Sequence, residues 1–299
     1  MKLFTEKAVN CLLTEDSILL TDSQLRDLQI AIYEIAKDIL CFCKKHNLNV
    51  HLSGGTALGA IRHNGFIPWD DDMDLNMPRK DYNWFVTHFL DEYGDKYWLK
   101  SALYDYQDVR DTISIKVVKK NTVYRVITSK ENEETGIWVD IFVIENTYSN
   151  ALLRKLHGLG CYFFSGIASC KGYNDSWKLE REVFRNSSIF RIIQLKKNIG
   201  YFLFFTNYNK LRRYEAKWFA RCHNDQTDYV TIASGRGKFF GETFKRESFL
   251  KTTEVKFEDQ LWPISLDYQT YLTALYGPDY MVPPPIEKRE RHAVIELRF

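Results

Sequence analysis

The run Ile137-Trp-Val-Asp-Ile-Phe-Val-Ile144 constrains the chain most, because seven of its eight residues are apolar and the eighth is a lone carboxylate. Such a run reads as a strand covered on both faces, which demands a sheet with layers above and below it. Asp140 cannot stay charged in that setting without a metal, a basic partner or exposure at the strand end. With 299 residues, 45% of them hydrophobic and 27% charged, the chain can bury a core of that kind.

The flanking patterns mix strands and helices. Leu25, Leu28, Ile32, Ile35, Ile39 and Phe42 alternate steps of three and four between Asp22 and His46, predicting an amphipathic helix capped by Thr21 or Asp22. A short strand, Val50 to Ser53, runs into Gly54-Gly55, after which Thr56 to His63 reads as a helix. Asp72-Met-Asp-Leu-Asn-Met77 alternates polar and apolar, predicting a strand with Asp72, Asp74 and Asn76 on one face. Arg79 to Tyr93 reads as a helix, and 98–103, 113–118 and 123–128 as further strands. The expected fold class is α+β, a mixed sheet flanked by helices, without the regular alternation of a Rossmann fold.

Net charge is only +2, yet residues 151–225 hold fourteen Lys and Arg against five Asp and Glu. This basic, aromatic, mostly helical segment admits two readings. One is contact with the headgroups of a membrane's cytoplasmic face; the other is a helical subdomain whose aromatics pack on the sheet. The six cysteines show no C-x-x-C pair, so a reduced, cytoplasmic setting is expected. The first twenty residues lack an uninterrupted apolar region of the signal-peptide kind, and no stretch reaches the roughly 20 apolar residues of a membrane span. Nucleic acid is not an expected partner, since no recognisable nucleic-acid module is present.

Carboxylates at i and i+2 of a strand share a face, so Asp72 and Asp74 can converge on one hard cation such as Mg²⁺. Ser53-Gly54-Gly55-Thr56 at a strand-to-helix turn brings backbone N–H groups to a phosphate near the positive end of a helix dipole. Taken separately, Gly-Gly is a common turn and Asp70-Asp-Asp72 is a solvated loop. Together they describe a site for a nucleoside diphosphate compound. Arg62 and His63 are either diphosphate contacts or a helix-end pair, and Lys116 either a phosphate contact or an exposed strand lysine.

The string from Gly55 through Arg62-His-Asn-Gly-Phe-Ile-Pro-Trp-Asp-Asp-Asp-Met-Asp74 resembles the signature of the LicD/fukutin-type phosphotransferases, a branch of the polymerase-β-like nucleotidyltransferases. Gly136-Ile-Trp-Val-Asp-Ile-Phe142 and Tyr271-Leu to Leu275-Tyr-Gly-Pro-Asp-Tyr-Met281 continue the likeness, while 150–225 matches weakly. The resemblance implies a single catalytic domain over 1–299, with a nucleotidyltransferase core at 20–149, a helical basic insert at 150–225 and a closing segment at 226–299. It assigns the nucleotide to Gly54 and Gly55 and the metal and catalysis to Asp72, Asp74 and Asp140. The implied reaction moves phosphocholine from CDP-choline to a sugar hydroxyl of a surface glycan or its lipid-linked precursor, releasing CMP. Glycerol or ribitol phosphate as the group moved, and a catalytically silent glycan- or lipid-binding relative, stay open. A quaternary ammonium would seek aromatic faces, Trp69 and Trp138 first, though both also suit a core. Arg289 and His292 fall where relatives carry basic residues.

Overall fold

A computed structural model describes residues 18–101, 113–126, 129, 135–185, 187, 189–286, 289 and 291–299. The reading of the N-terminus therefore lies outside the described residues, as do the ends of the expected strands at 98–103 and 123–128.

Helix α1 (Asp22–Lys45) begins at Thr21, whose hydroxyl accepts from the Gln24 N–H while the Gln24 side chain reaches back to Thr21. The six apolar positions anticipated from spacing are all buried. They lie against β4 (Ser114–Lys119) and β6 (Trp138–Thr147). Phe42 also meets Phe85 and Phe89 of α3 (Arg79–Tyr93) edge-on, so the two helices cover one face of the sheet together. Fully burying side chains of this size contributes about 1.5–3 kcal/mol each.

The main sheet has seven strands. β1 (His51–Leu52) pairs antiparallel with β2 (Asp74–Pro78), β2 parallel with β6, β6 antiparallel with β4, and β4 antiparallel with β3 (Tyr97–Ser101). The far end of β6 pairs with β7 (Tyr229–Thr231), which pairs with β8 (Thr243–Lys245). Two smaller pairs complete the strands: β5 (Val123–Val126) with β11 (Val294–Arg298), and the hairpin β9 (Thr252–Phe257) to β10 (Gln260–Ser265).

Two expectations need correction. Asp72 is not on a strand: β2 starts at Asp74, where the Thr56 hydroxyl accepts the Asp74 N–H. The alternation over 72–77 is also not an inside–outside pattern, because Leu75, Asn76 and Met77 are all buried. An interior strand covered on both sides loses that signal. The all-apolar look of β6 hides the opposite case. In its first half Val139, Ile141 and Val143 are buried while Trp138, Asp140 and Phe142 are half-buried, since only one face meets the helices.

Between β6 and β7 lie α4 (Ala151–Asp175), α5 (Trp177–Phe184), α6 (Phe190–Tyr201) and α7 (Tyr208–Phe219). α6 and α7 both pack on α4. Short helices α8 (Lys238–Gly241) and α9 (Arg246–Leu250) follow, and the chain passes through α10 (Tyr268–Tyr276) to β11. Among the described residues no helix is long and apolar enough to cross a membrane.

Candidate active site

The Gly-Gly turn opens α2 (Gly54–His63) as expected. Gly54 has φ +48°, the left-handed region that glycine tolerates best. A Cβ on Gly54 would lie 3.3 Å from Asp74 Oδ2, and one on Gly55 only 2.9 Å from Asp70 Oδ2. The turn is therefore bare so that carboxylates can lie against it. Its own polar groups are largely committed. The Gly54 N–H donates to the Tyr271 hydroxyl at 2.9 Å, and Ser53 Oγ meets the same hydroxyl at 3.0 Å. Thr56 Oγ1 holds the Asp74 N–H. Of the four residues expected to cradle phosphate, Ser53, Gly54 and Thr56 thus fix the turn to α10 and β2.

Asp74 and Asp140 are direct neighbours across the parallel β2–β6 pair, and Lys116 of β4 is paired with Asp140 from the other side. The Lys116 ammonium donates to Asp140 Oδ2 at 2.6 Å, and Trp138 Nε1 donates to the same oxygen at 2.8 Å. Lys116 is thus the basic partner that a lone carboxylate in this strand needs, and it is neither a simple exposed lysine nor free to reach outward unaided.

The acidic run is not a solvated loop. Asp71 is only 3% exposed: its Oδ2 accepts from the Tyr124 hydroxyl and the His292 N–H, both at 3.0 Å, and its Oδ1 meets His292 Nδ1 at 2.9 Å. Gln29 of α1 donates to the Asp70 carbonyl, anchoring the loop from the helix layer. One oxygen from each of Asp70, Asp71 and Asp72 lies within 4.8 Å of the others. Burial, followed by repulsion from the neighbouring aspartates, raises the pKa of Asp70 and Asp74 well above the carboxylate range. Asp72 is raised too, by burial first, with His292 and Lys116 opposing. Burial works against charge on His292, but Asp71 and Asp72 override it and lift the imidazole to about 9.

This is the environment in which a divalent cation fits. Its donors are hard carboxylate oxygens, they crowd one another, and His292 and Lys116 offset their charge only in part. Within the Asp70–Asp72 cluster Asp71 is tied by Tyr124 and His292.

Arg62 turns back along its helix, donating to His63 Nε2 and to the Tyr280 carbonyl, both at 2.9 Å. Burial and then the Arg62 charge lower the His63 pKa, which suits its accepting role. Arg289 stacks 4.0 Å above the Trp69 ring, and Lys116 sits 4.1 Å above Trp138. Both aromatic faces thus carry cations of the chain itself. Sequence spacing did not single out Tyr124, Tyr271 or Asp71. Their partners are 53 to 221 residues away, so no local spacing marks them.

A family model described as LicD/FKTN/FKRP, nucleotidyltransferase domain, matches residues 47–158, the stretch that carries the glycine turn and all the aspartates above. Residues 47–158 are thus similar to the nucleotidyltransferase domain of this LicD family. Among curated proteins it is similar to the lipopolysaccharide cholinephosphotransferase LicD of Haemophilus influenzae, 27% identical over 278 residues, covering 91% of this chain and 97% of that protein. Shorter likeness, 34% over 70 residues, relates this chain to the uncharacterized proteins RP689 of Rickettsia prowazekii and RT0683 of Rickettsia typhi. That stretch is 21% of this chain and 26% and 23% of theirs.

Proposed function

We propose that the protein transfers a phospho-alcohol group, phosphocholine in the first reading, from a CDP-alcohol to a sugar hydroxyl of a surface glycan or its lipid-linked precursor, releasing CMP. The observation that carries this is the register of β2 and β6, which sets Asp74 beside Asp140 next to the Asp70–Asp72 cluster and the glycine turn. The similarity to a cholinephosphotransferase over nearly the whole chain supports the donor class.

Asp72 of the Asp70–Asp72 cluster, with Asp74 beside the same glycine turn as Asp70, would hold Mg²⁺. When bound, that ion neutralises the diphosphate and draws charge from the breaking phosphorus–oxygen bond. The chain's own residues do the rest. The bare turn at Gly54 and Gly55 keeps the Asp70 and Asp74 carboxylates close to the start of α2, where the diphosphate would bind through the metal they hold. Lys116 and Trp138 both hold Oδ2 of Asp140, which orients Oδ1 to accept the acceptor hydroxyl's proton. The hydroxyl oxygen bonds to the phosphorus that bears the alcohol, the bond to the CMP phosphate breaks, and CMP leaves with the electron pair. Tyr271 keeps the glycine turn in register with β2 throughout.

A second reading, an uncharged polyol phosphate such as glycerol or ribitol phosphate, is favoured by one observation. Arg289 and Lys116 already cover the Trp69 and Trp138 faces that a quaternary ammonium would use. The test is CMP release from CDP-choline, CDP-glycerol and CDP-ribitol, each with Mg²⁺ and with or without a glycan acceptor. Acceptor-dependent release with CDP-choline supports the first reading and with a polyol donor the second. No release from any donor would refute both.

A further inference from the structure

Two helices of the 150–225 segment turn apolar stripes to solvent. On α4 the stripe is Leu152, Leu156, Leu159 and Phe163, in steps of four, three and four, and all four are exposed. The packed side of that helix carries His157, Gly158, Cys161 and Ala168 instead. On α6 the stripe is Ile192, Leu195 and Ile199, again exposed, while Ile193 and Gly200 face inward. A helix meant only for water would be polar on these faces. At the end of α6 the loop adds Phe202, Phe204 and Phe205 at 71%, 82% and 73% exposure. Soluble surfaces rarely gather so much apolar area in one region.

The same segment is strongly basic, fourteen Lys and Arg against five Asp and Glu. Lys155 of α4, Arg191 of α6 and Lys210 at the start of α7 are exposed in the same segment. Apolar side chains interleaved with cations match an interface that is greasy below and anionic above. A second copy of the chain fits poorly, because two such surfaces would repel. No helix of the described residues can span a bilayer, so the contact is one of lying on it.

We infer that α4, α6 and the Phe202–Phe205 loop dock the protein on an anionic bilayer, with the apolar stripes in the acyl boundary and the basic side chains at the lipid phosphates. This goes beyond the transfer reaction and does not depend on it. Its geometry also connects to the site. Lys196 of α6 lies within electrostatic reach of Lys238, two residues from Arg236, whose guanidinium sits 5.4 Å from the Tyr276 ring centre. The Tyr276 hydroxyl borders the glycine turn. The 234–238 loop thus lies between α6 and the glycine turn.

Vesicle flotation of the full chain tests this, comparing phosphatidylcholine vesicles with vesicles containing about one-third phosphatidylglycerol, at low and high salt. The anionic vesicles are expected to carry about tenfold more protein, with the excess lost at high salt. Combined Phe202→Ser, Phe204→Ser and Phe205→Ser should lower flotation about tenfold without changing the melting temperature, since these rings pack on little. A second variant, Lys155→Gln, Arg191→Gln and Lys210→Gln, should lose the salt-sensitive excess. The inference is overturned if the parent does not float, if either variant floats like the parent, or if the parent is a stable dimer that the phenylalanine variant splits without any loss of lipid binding.

Discussion

His51 on β1 shows how one buried side chain sets a pH dependence. Its ring is wholly buried, edge-on to Phe249, with Nδ1 3.3 Å from the Leu52 carbonyl. Burial lowers its pKa to about 4, against 6.5 for the unfolded chain. The unfolded state therefore takes up a proton first on acidification. The contribution of His51 to stability is complete above pH 6.5 and is lost as pH falls from 6.5 towards 4. Between pH 7 and pH 5 that loss is about 2 kcal/mol. Urea unfolding at both pH values should show His51→Phe flattening the difference by this amount; an unchanged slope would contradict the assignment. Gly55 carries a second expectation. A methyl there would press on the Asp70 carboxylate at 2.9 Å, so Gly55→Ala should slow CMP release about a hundredfold with little change in melting temperature. Parent-like turnover would count against a role for that carboxylate. At this scale the sequence marks Asp140, because a lone charge in an apolar run is a local signal. It does not reveal that Asp71 needs His292, 221 residues away, since no spacing rule joins them.

Among the elements, periodicity was a sound guide wherever one face is buried and the other wet. α1 and α3 follow their apolar spacing closely, and the turn between β1 and α2 falls at the two glycines. It misled at β2, where both faces are covered and Asn76 is as buried as Leu75. It also could not say which side of α4 packs, because apolar residues occupy both. Glycines settle that question. Gly160 faces the Trp218 ring and Gly200 the Cys170 carbonyl, so close that an added Cβ would stand 2.1 Å from either. Gly200→Ala should pry α6 from α4 and lower stability by about 1–3 kcal/mol in a denaturant titration. A variant as stable as the parent would show that the two helices are not pressed together there.

For the molecule as a whole, the closing segment matters as much as the core. β11 pairs with β5, whose Tyr124 holds Asp71, and the residues just before β11 bring His292 to the same carboxylate. Deleting residues 291–299 would remove both the strand and the imidazole, leaving a buried Asp71 with one partner. The expected result is a lower melting temperature and loss of CMP release; a truncated chain with parent-like turnover would show that His292 is dispensable. Apolar patterning pointed to an α+β core and charge distribution to a basic region, but how residues 71, 124 and 292 meet depends on pairings far apart in sequence. The most direct measurement is CMP release by Asp74→Asn beside its metal-free melting temperature. The account expects turnover to fall about a hundredfold or more, with melting unchanged or raised because a repelling carboxylate is gone. Turnover close to that of the parent would contradict it.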